Sequence, residues 1–412
     1  MAVERKNRQL GTTIKNGIED TFYIWKEELK HVFRDTGVMI FFFLVPFVYP
    51  LIYSFFYTNE VVRDAQLVVV DKSEIAYSRE FVRRVDATPD VKVVAFCTDM
   101  DEAKRMLDEK KAYGILFIPD DFSKDLHTGK QTTISLYTDM SALLYYKNFL
   151  ISATEVSLDM GKEITQRNNP SETRAETNIT INPVPYESIA LFNPQNGFGS
   201  FLVPAILVLV IQQTLILGIC MLSGTAREKN ILHTLVPANT HYHGTLRIVF
   251  GKSLAYIVLY VVVCCWTLLI VPAMFSFPQL ARPGTITLFM LPYLFACIFF
   301  SMTLSGVVVS REAPMLIFVF TSVILIFISG VSWPAHAIHG FWKAASYIFP
   351  STPAIQGFVG INTMGASLED VSLQYKILWL QAGIYFVTAC LVYRYQIIRI
   401  QRKIKNAGMV GE

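Results

Sequence analysis

Charge is scarce in this chain. Asp, Glu, Lys and Arg make up 17% of its 412 residues, where a soluble domain carries about a quarter. With a hydrophobic share of 52% and a mean hydropathy of +0.40, too little polar surface is left for an ordinary water-soluble fold. Cysteine is sparse too. Of the six cysteines, Cys97 alone lies outside the apolar runs, so the segment around it can hold no internal disulfide. Cys220, Cys264, Cys265, Cys297 and Cys390 read as small packing residues within those runs.

Chemistry-bearing motifs are equally short in supply. There is no nucleophile elbow, no metal-ligand spacing and no glycine-rich phosphate loop. Gly251-Lys252-Ser253 imitates the end of a P-loop, but Leu246 stands where its first glycine is required. The string also opens an apolar run instead of following a strand, so a nucleotide site is excluded. His233, His241 and His243 share one loop, and His336 and His339 are three apart, without the further ligands a metal site needs. No Asp, Glu or His falls in the middle of an apolar run, which argues against an ion-coupled carrier. No basic stripe is interleaved with exposed aromatics, which argues against nucleic-acid binding. No catalytic residue and no metal site is assigned.

What is present is a set of long apolar runs. Six are long enough to cross a ~30 Å hydrocarbon core: Val38–Tyr57, Phe198–Ser223, Val249–Pro272, Ile286–Val309, Pro314–Trp333 and Ile377–Arg394. Backbone groups in lipid must be satisfied within the segment, so these runs are expected to be helices. The fold class is therefore a polytopic α-helical membrane protein of six transmembrane helices in a 1+5 arrangement. An insert, residues 58–197, separates the first helix (38–57) from the five-helix region (198–395).

Lys and Arg concentrate before the first run (Arg5, Lys6, Arg8, Lys15, Lys26, Lys30, Arg34), after the second (Arg227, Lys229, Arg247, Lys252), after the fourth (Arg311) and at the end, in Arg394 and the tail 396–412 (Arg399, Arg402, Lys403, Lys405). The positive-inside rule places all four regions, and both termini, in the cytoplasm. The insert, in which acids outnumber bases, and the loop 334–375 then lie outside. The first run is too far from Met1 for a cleaved signal peptide and is expected to remain as an anchor.

Within residues 1–37, Ile14, Ile18, Phe22, Trp25, Leu29, Val32 and Phe33 recur at three- and four-residue spacing. This predicts an amphipathic elbow helix lying in the cytoplasmic membrane interface, as a simple anchor or as a force-transmitting element. Pro46 and Pro50 should kink the first span. The insert alternates short apolar strands (Leu67–Asp71, Val91–Phe96, Tyr113–Ile118, Thr132–Tyr137) with helices, ending in a long helix from Ser141 to about Arg167, which predicts an external α/β domain. Pro170, Pro183 and Pro185 mark an extended return. Asp71, Asp99, Asp120, Asp121 and Asp139 sit at element ends, where such residues cap helices and turns. In the bundle, Gln212 and Gln213 are the most polar mid-span residues. They either bond between helices or line a translocation path.

Several strings, in order, carry a family resemblance. They are VVVDKSEIAYSREFVRRVDATPDVKVV, YGILFIPDDFSKDL, LFNPQ, AREKNILHTLVP, GKSLAY, SGVSWP and FPSTPA. Together with the layout, from about Lys26 to Arg402, the chain resembles permease subunits of ABC-2 type exporters with a large external (periplasmic) domain, of the multidrug or lipid kind. The resemblance implies a bacterial inner-membrane permease that exports a hydrophobic or amphipathic substrate. Two cytoplasmic ABC ATPases would carry ATP and Mg, and this chain would hold no cofactor itself. It further implies a second permease half, identical or not, and a periplasmic adaptor leading to an outer-membrane channel.

The resemblance makes 224–248 the coupling loop, with Arg227, Glu228, Lys229, Leu235 and Pro237 meeting the ATPase. The loop 334–375, with Pro334, Trp342, Pro350 and Pro353, becomes a re-entrant outer gate. Asn230-Ile231 and His233 depart from the family pattern, which bears on how that loop docks. Two rival readings remain: a polytopic scaffold or receptor whose external domain binds an envelope partner or ligand, and a membrane-embedded enzyme. The second lacks any convergent acid, base or metal set.

Overall fold

The structure, a computed structural model, describes residues 2–168, 179, 189, 191–194, 197–229 and 244–408. The chain divides into two compact units. One comprises Met1–Glu60 and Leu191–Glu412, the other Val61–Ala190.

The first unit opens with α1 (Ala2–Arg34). Asp35 then breaks the helix in an extended conformation, and its carboxylate accepts the N–H groups of Gly37 and Val38 at 3.0 and 3.3 Å. That N-cap starts α2 (Thr36–Phe56) in a new direction. α2 is not uniform: Ile40–Leu44 forms a π-helical turn immediately before Pro46. A π-turn beside a proline relieves the clash of its ring with the preceding turn and accommodates its missing donor.

The second unit is a three-layer α/β domain. Its elements are β1 (Ala65–Asp71), α3 (Ala76–Asp86), β2 (Val91–Phe96), α4 (Met100–Asp108), β3 (Gly114–Ile118), α5 (Phe122–His127), β4 (Ser135–Thr138) and α6 (Leu143–Asn168). The strands run in the order β2-β1-β3-β4. β1 pairs parallel with β2 and β3, and β4 joins antiparallel. β1 is buried on both faces, as its unbroken Leu-Val-Val-Val run requires. One face carries Leu67, Val69, Leu116 and Ile118 against Phe81, Phe122 and Phe149. The other carries Val68, Val70 and Ile115 against Ala103 and Met106.

Asp71, Asp99 and Asp139 act as caps, whereas Asp121, at the start of α5, makes no side-chain cap bond. Asp99 accepts the Glu102 N–H at 2.7 Å, and Asp71 accepts from Ser73 and Glu74 N–H and from the Ser78 hydroxyl. Pro170, Pro183 and Pro185 lie outside the described residues.

The first unit resumes with α7 (Phe198–Glu228), α8 (Thr245–Met274), α9 (Pro283–Leu304), α10 (Ala313–Ile328), α11 (Gly340–Ser346), α12 (Ser351–Met364) and α13 (Ser372–Gly408). α7 is the axis of the unit, packed by α2, α9, α10 and α12, and its apolar stretch is buried throughout. α13 packs chiefly along α9. α8 repeats the device of α2, a π-helical turn at Trp266–Ile270 just ahead of Pro272.

Among the described residues, five helices are long and apolar enough to cross a membrane: α2, α7, α8, α9 and α13. The expected span Pro314–Trp333 is corrected. It folds as α10, 16 residues, or about 24 Å, short of the ~30 Å core. The cause lies at Ser329 and Gly330: the glycine adopts φ +90, a left-handed conformation that ends the helix. α12, in the 334–375 segment, is largely buried among α7, α9 and α13. Gly365, at φ +69, closes it with a left-handed cap.

Candidate functional site

Three helices of the first unit, α2, α7 and α10, wall a cavity of about 470 Å³. Tyr49 and Tyr53 on α2 and Tyr57 at its C-cap follow at four-residue spacing, with successive ring centroids at 4.7 and 6.1 Å. Facing walls include Leu209, Gln213 and Leu217 of α7 and Phe318, Ser322 and Phe327 of α10. None of the residues lining it is charged. Gln213 is 8% exposed, and neither its amide oxygen nor its nitrogen has a hydrogen-bond partner.

Gln212, its neighbour, points elsewhere. Its oxygen accepts the Ser351 N–H at 2.7 Å, so it tethers α7 to the start of α12. The two glutamines paired in the sequence reading therefore separate. Gln212 bonds between helices, and Gln213 lines the cavity. Thr214, also at the wall, is already engaged: its hydroxyl donates to Val210 O and receives the Tyr260 hydroxyl.

The proline breaks in α2 and α8 are braced against one another. Pro50 has no N–H, so the Pro46 carbonyl one turn earlier loses its helical donor. The Thr267 hydroxyl of α8 donates to that oxygen at 3.4 Å. Trp266 adds a bond from its indole N–H to the Phe47 carbonyl at 3.1 Å and stacks on the Phe47 ring. Pro272 likewise frees the Leu268 carbonyl, and the Gln279 amide donates to it at 3.0 Å.

The elbow residues divide between two faces of α1. Phe22 and Phe33 are 56% and 53% exposed, and Trp25 and Leu29 are half-buried. Val32, read from the sequence as part of the interfacial stripe, is instead buried, and the packed face is Ile24, Glu28 and Val32. An acid sits in the middle of it. Glu28 contacts the Lys252 ammonium at 2.5 Å and accepts from the Tyr256 hydroxyl, both on α8. Gly251 permits this approach: a Cβ there would lie 2.8 Å from Ile24 side-chain atoms. Asp20 pairs with Arg247 at 2.7 Å, one turn outside the buried pair. Lys252, read from the sequence as a failed P-loop lysine and as a cytoplasmic topology charge, is the buried anchor of α1.

A second charged cluster forms where α7 ends. Arg311, in the turn after α9, bonds Asp35 at 2.8 Å, and its N–H donates to Glu228 at 3.3 Å. Arg227 donates to the Val308 carbonyl. Of the expected coupling residues, Arg227 is half-buried against the 308–311 turn, Glu228 is exposed while bonded to the same turn, and Lys229 is exposed. Leu235 and Pro237 lie outside the described residues, as do Asn230, Ile231, His233, His241 and His243. The expected gate residues are scattered: Pro334 and Trp342 are exposed, while Pro350 and Pro353 are buried at the start of α12.

Asp35, Glu28 and the tyrosine row were missed by sequence reasoning. The tyrosines were legible at four-residue spacing. Glu28 carried a signal in being an acid four residues from Ile24 and Val32.

A comparison with curated proteins gives no match. Among protein families, the one described as ABC-2 family transporter protein matches residues 37–391, most of the chain. With membrane-length helices around an uncharged cavity, and that match across them, the chain belongs to the ABC-2 transporter family.

Proposed function

We propose that this chain is the permease subunit of an ATP-driven exporter. It moves a hydrophobic or amphipathic substrate outward across the bacterial inner membrane, using ATPases on separate cytoplasmic chains. The observation that carries this reading is the uncharged cavity of α2, α7 and α10, with Gln213 unpartnered at its wall. An apolar chamber with few polar groups suits a lipophilic ligand. The chain has no P-loop of its own, so the energy enters through a partner that binds and hydrolyses ATP.

In this reading both termini and the 224–248 loop face the cytoplasm, and the α/β unit lies outside. A second permease half completes the path, and the α/β unit is the surface for a periplasmic adaptor and outer-membrane channel. The exposed apolar residues of α1 rest in the lipid interface, while its acids clasp α8. Motion at the ATPase would reach the spans through the 224–248 loop and through α1. Lys229 is the residue of that loop's start free to meet a partner's carboxylate. The 334–375 segment forms the outer end of the path, with α12 as its fixed part.

The test is purification of the tagged chain in mild detergent with its associated proteins, followed by vanadate-sensitive ATP hydrolysis. A stoichiometric P-loop ATPase should accompany the chain. Lys229→Glu and Leu235→Asp should weaken that association while leaving the permease folded. A chain that purifies alone, where a known exporter stays assembled, would overturn the reading in favour of a scaffold or receptor.

A further inference from the structure

We propose that the α2–α7–α10 cavity selects an uncharged, aromatic-bodied amphiphile bearing one group that both donates and accepts a hydrogen bond, with Gln213 as its partner. The proposal deepens the exporter reading and rests on it for the fate of the ligand, though not for its binding.

Three observations set the class. First, no lining residue is charged. The site is partly open, with Val319, Val323 and Phe327 exposed along one wall, but an ionised ligand seated against Gln213 would lose part of its hydration with no counter-charge, which is unfavourable. Second, among the lining side chains, which include three tyrosine hydroxyls and Ser332, Gln213 alone has buried polar atoms without a partner. The Gln212 oxygen is bonded to Ser351, the Thr214 hydroxyl to Val210 and Tyr260, and the Ser322 hydroxyl to Val319. Gln213 keeps its acceptor oxygen and both N–H donors of its amide nitrogen unmet, and both atoms are buried. A buried amide in this condition is complementary to another amide, a carbamate or an alcohol, and not to an ester or a hydrocarbon alone. Third, the Tyr49–Tyr53–Tyr57 row and the opposing Phe318 and Phe327 present ring surfaces suited to a flat aromatic body. At about 470 Å³ the space is that of a ligand of drug size.

The test uses three photoreactive probes on the full chain in lipid nanodiscs. They share a benzophenone and a ten-carbon tail and differ in polar group. One is N-decyl-4-benzoylbenzamide, neutral with an amide. The second is its trimethylammonium counterpart, and the third its sulfonate counterpart. Crosslinked residues are mapped by mass spectrometry, with unlabelled N-decylbenzamide as competitor.

The neutral amide should label Tyr49, Tyr53, Leu209 or Phe318 saturably, at least about tenfold more than either ion. Gln213→Met, close in size and unable to pair, should reduce saturable labelling at least about fivefold. The corresponding ester probe should bind the unaltered chain more weakly by a similar factor, a comparison that does not depend on how the variant folds. Equal labelling by all three probes, or labelling confined to lipid-facing residues, would overturn the proposal. So would an amide and an ester that compete equally.

Failure here is separable from failure of the exporter reading. A chain that holds its ATPase but ignores the neutral probe refutes the ligand class alone. A chain that binds the probe in this cavity without an ATPase supports the site and refutes the exporter.

Discussion

Glu28 and Lys252 are each 2% exposed and touch across α1 and α8, so neither can lose its partner harmlessly. Removing one leaves the other charge buried and unpaired, a change that costs about 3–5 kcal/mol in comparable sites. Lys252→Met should therefore lower the thermal midpoint of the purified chain sharply, and Glu28→Gln somewhat less, because the neutral amide still meets Tyr256. The double variant should recover much of the loss, and a cycle of all four proteins measures the coupling. Additive losses would mean the pair contributes no mutual energy. A milder electrostatic effect is expected in the α/β unit. The hydrogen bond from Arg84, with the nearby Arg83 charge, holds the Glu80 carboxyl below its ordinary value despite some desolvation. A carboxylate depressed in the folded state stabilises above its unfolded pKa, and that contribution is lost as pH falls through the folded one. Below about pH 4.5, Glu80→Gln should show a flatter fall in melting temperature than the unaltered chain, by calorimetry.

The hydrogen-bond losses at proline decide how α2 and α8 meet. Thr267→Val orphans the Pro46 carbonyl and should cost about 1 kcal/mol or more. Pro50→Ala returns an N–H to the same carbonyl. In that background Thr267→Val should be close to neutral, as read by denaturation of single and double variants. An undiminished cost would show that Thr267 acts through something other than the freed oxygen. Gly251→Val should drive α1 off α8, because the added Cβ meets Ile24 and the Thr21 carbonyl. Faster hydrogen exchange in residues 20–32 is the measurement. At this scale the sequence was a good guide where one period governs a segment. The strands and helices of the α/β unit fall within a few residues of the reading, since alternation and capping aspartates are local signals. α10 was overestimated because apolar composition continues through Val331 and Trp333, while the helix stops where Gly330 turns. α12 looked peripheral because its Ser, Thr and Gly content hides that it is packed on several sides. The face of α1 was misassigned because its largest apolar residues point away from the neighbour that Glu28 seeks.

Across the whole molecule, the two charged clusters link segments far apart in the chain. Asp20, Glu28 and Asp35 reach Arg247, Lys252 and Arg311, so the start of the chain is clamped to the beginnings of α8 and α10. If these clamps carry motion from the ATPase, Asp35→Asn should uncouple hydrolysis from export. ATP turnover would persist, and ATP-dependent uptake of a fluorescent lipophilic substrate into inverted vesicles would fall several-fold. Equal loss of both activities would point to simple loss of assembly. None of these pairings was legible from the sequence, because each joins residues more than 200 positions apart and no local period announces it. The cavity was half legible. Gln213 could be picked out as polar in mid-span, but only the packing distinguishes it from Gln212.

α7, surrounded along its apolar length, has a history problem during synthesis. α2 emerges from the ribosome before it, whereas α9, α10 and α12 all follow. For the interval in which those segments are still being made, the glutamines of α7 have only α2, lipid or the insertion machinery to face. Nascent chains stopped after α8 should accordingly be held by the translocon or destroyed by membrane proteases, and chains released after α12 should persist. The helix most central in the finished protein is the one whose safety depends most on what has not yet been translated.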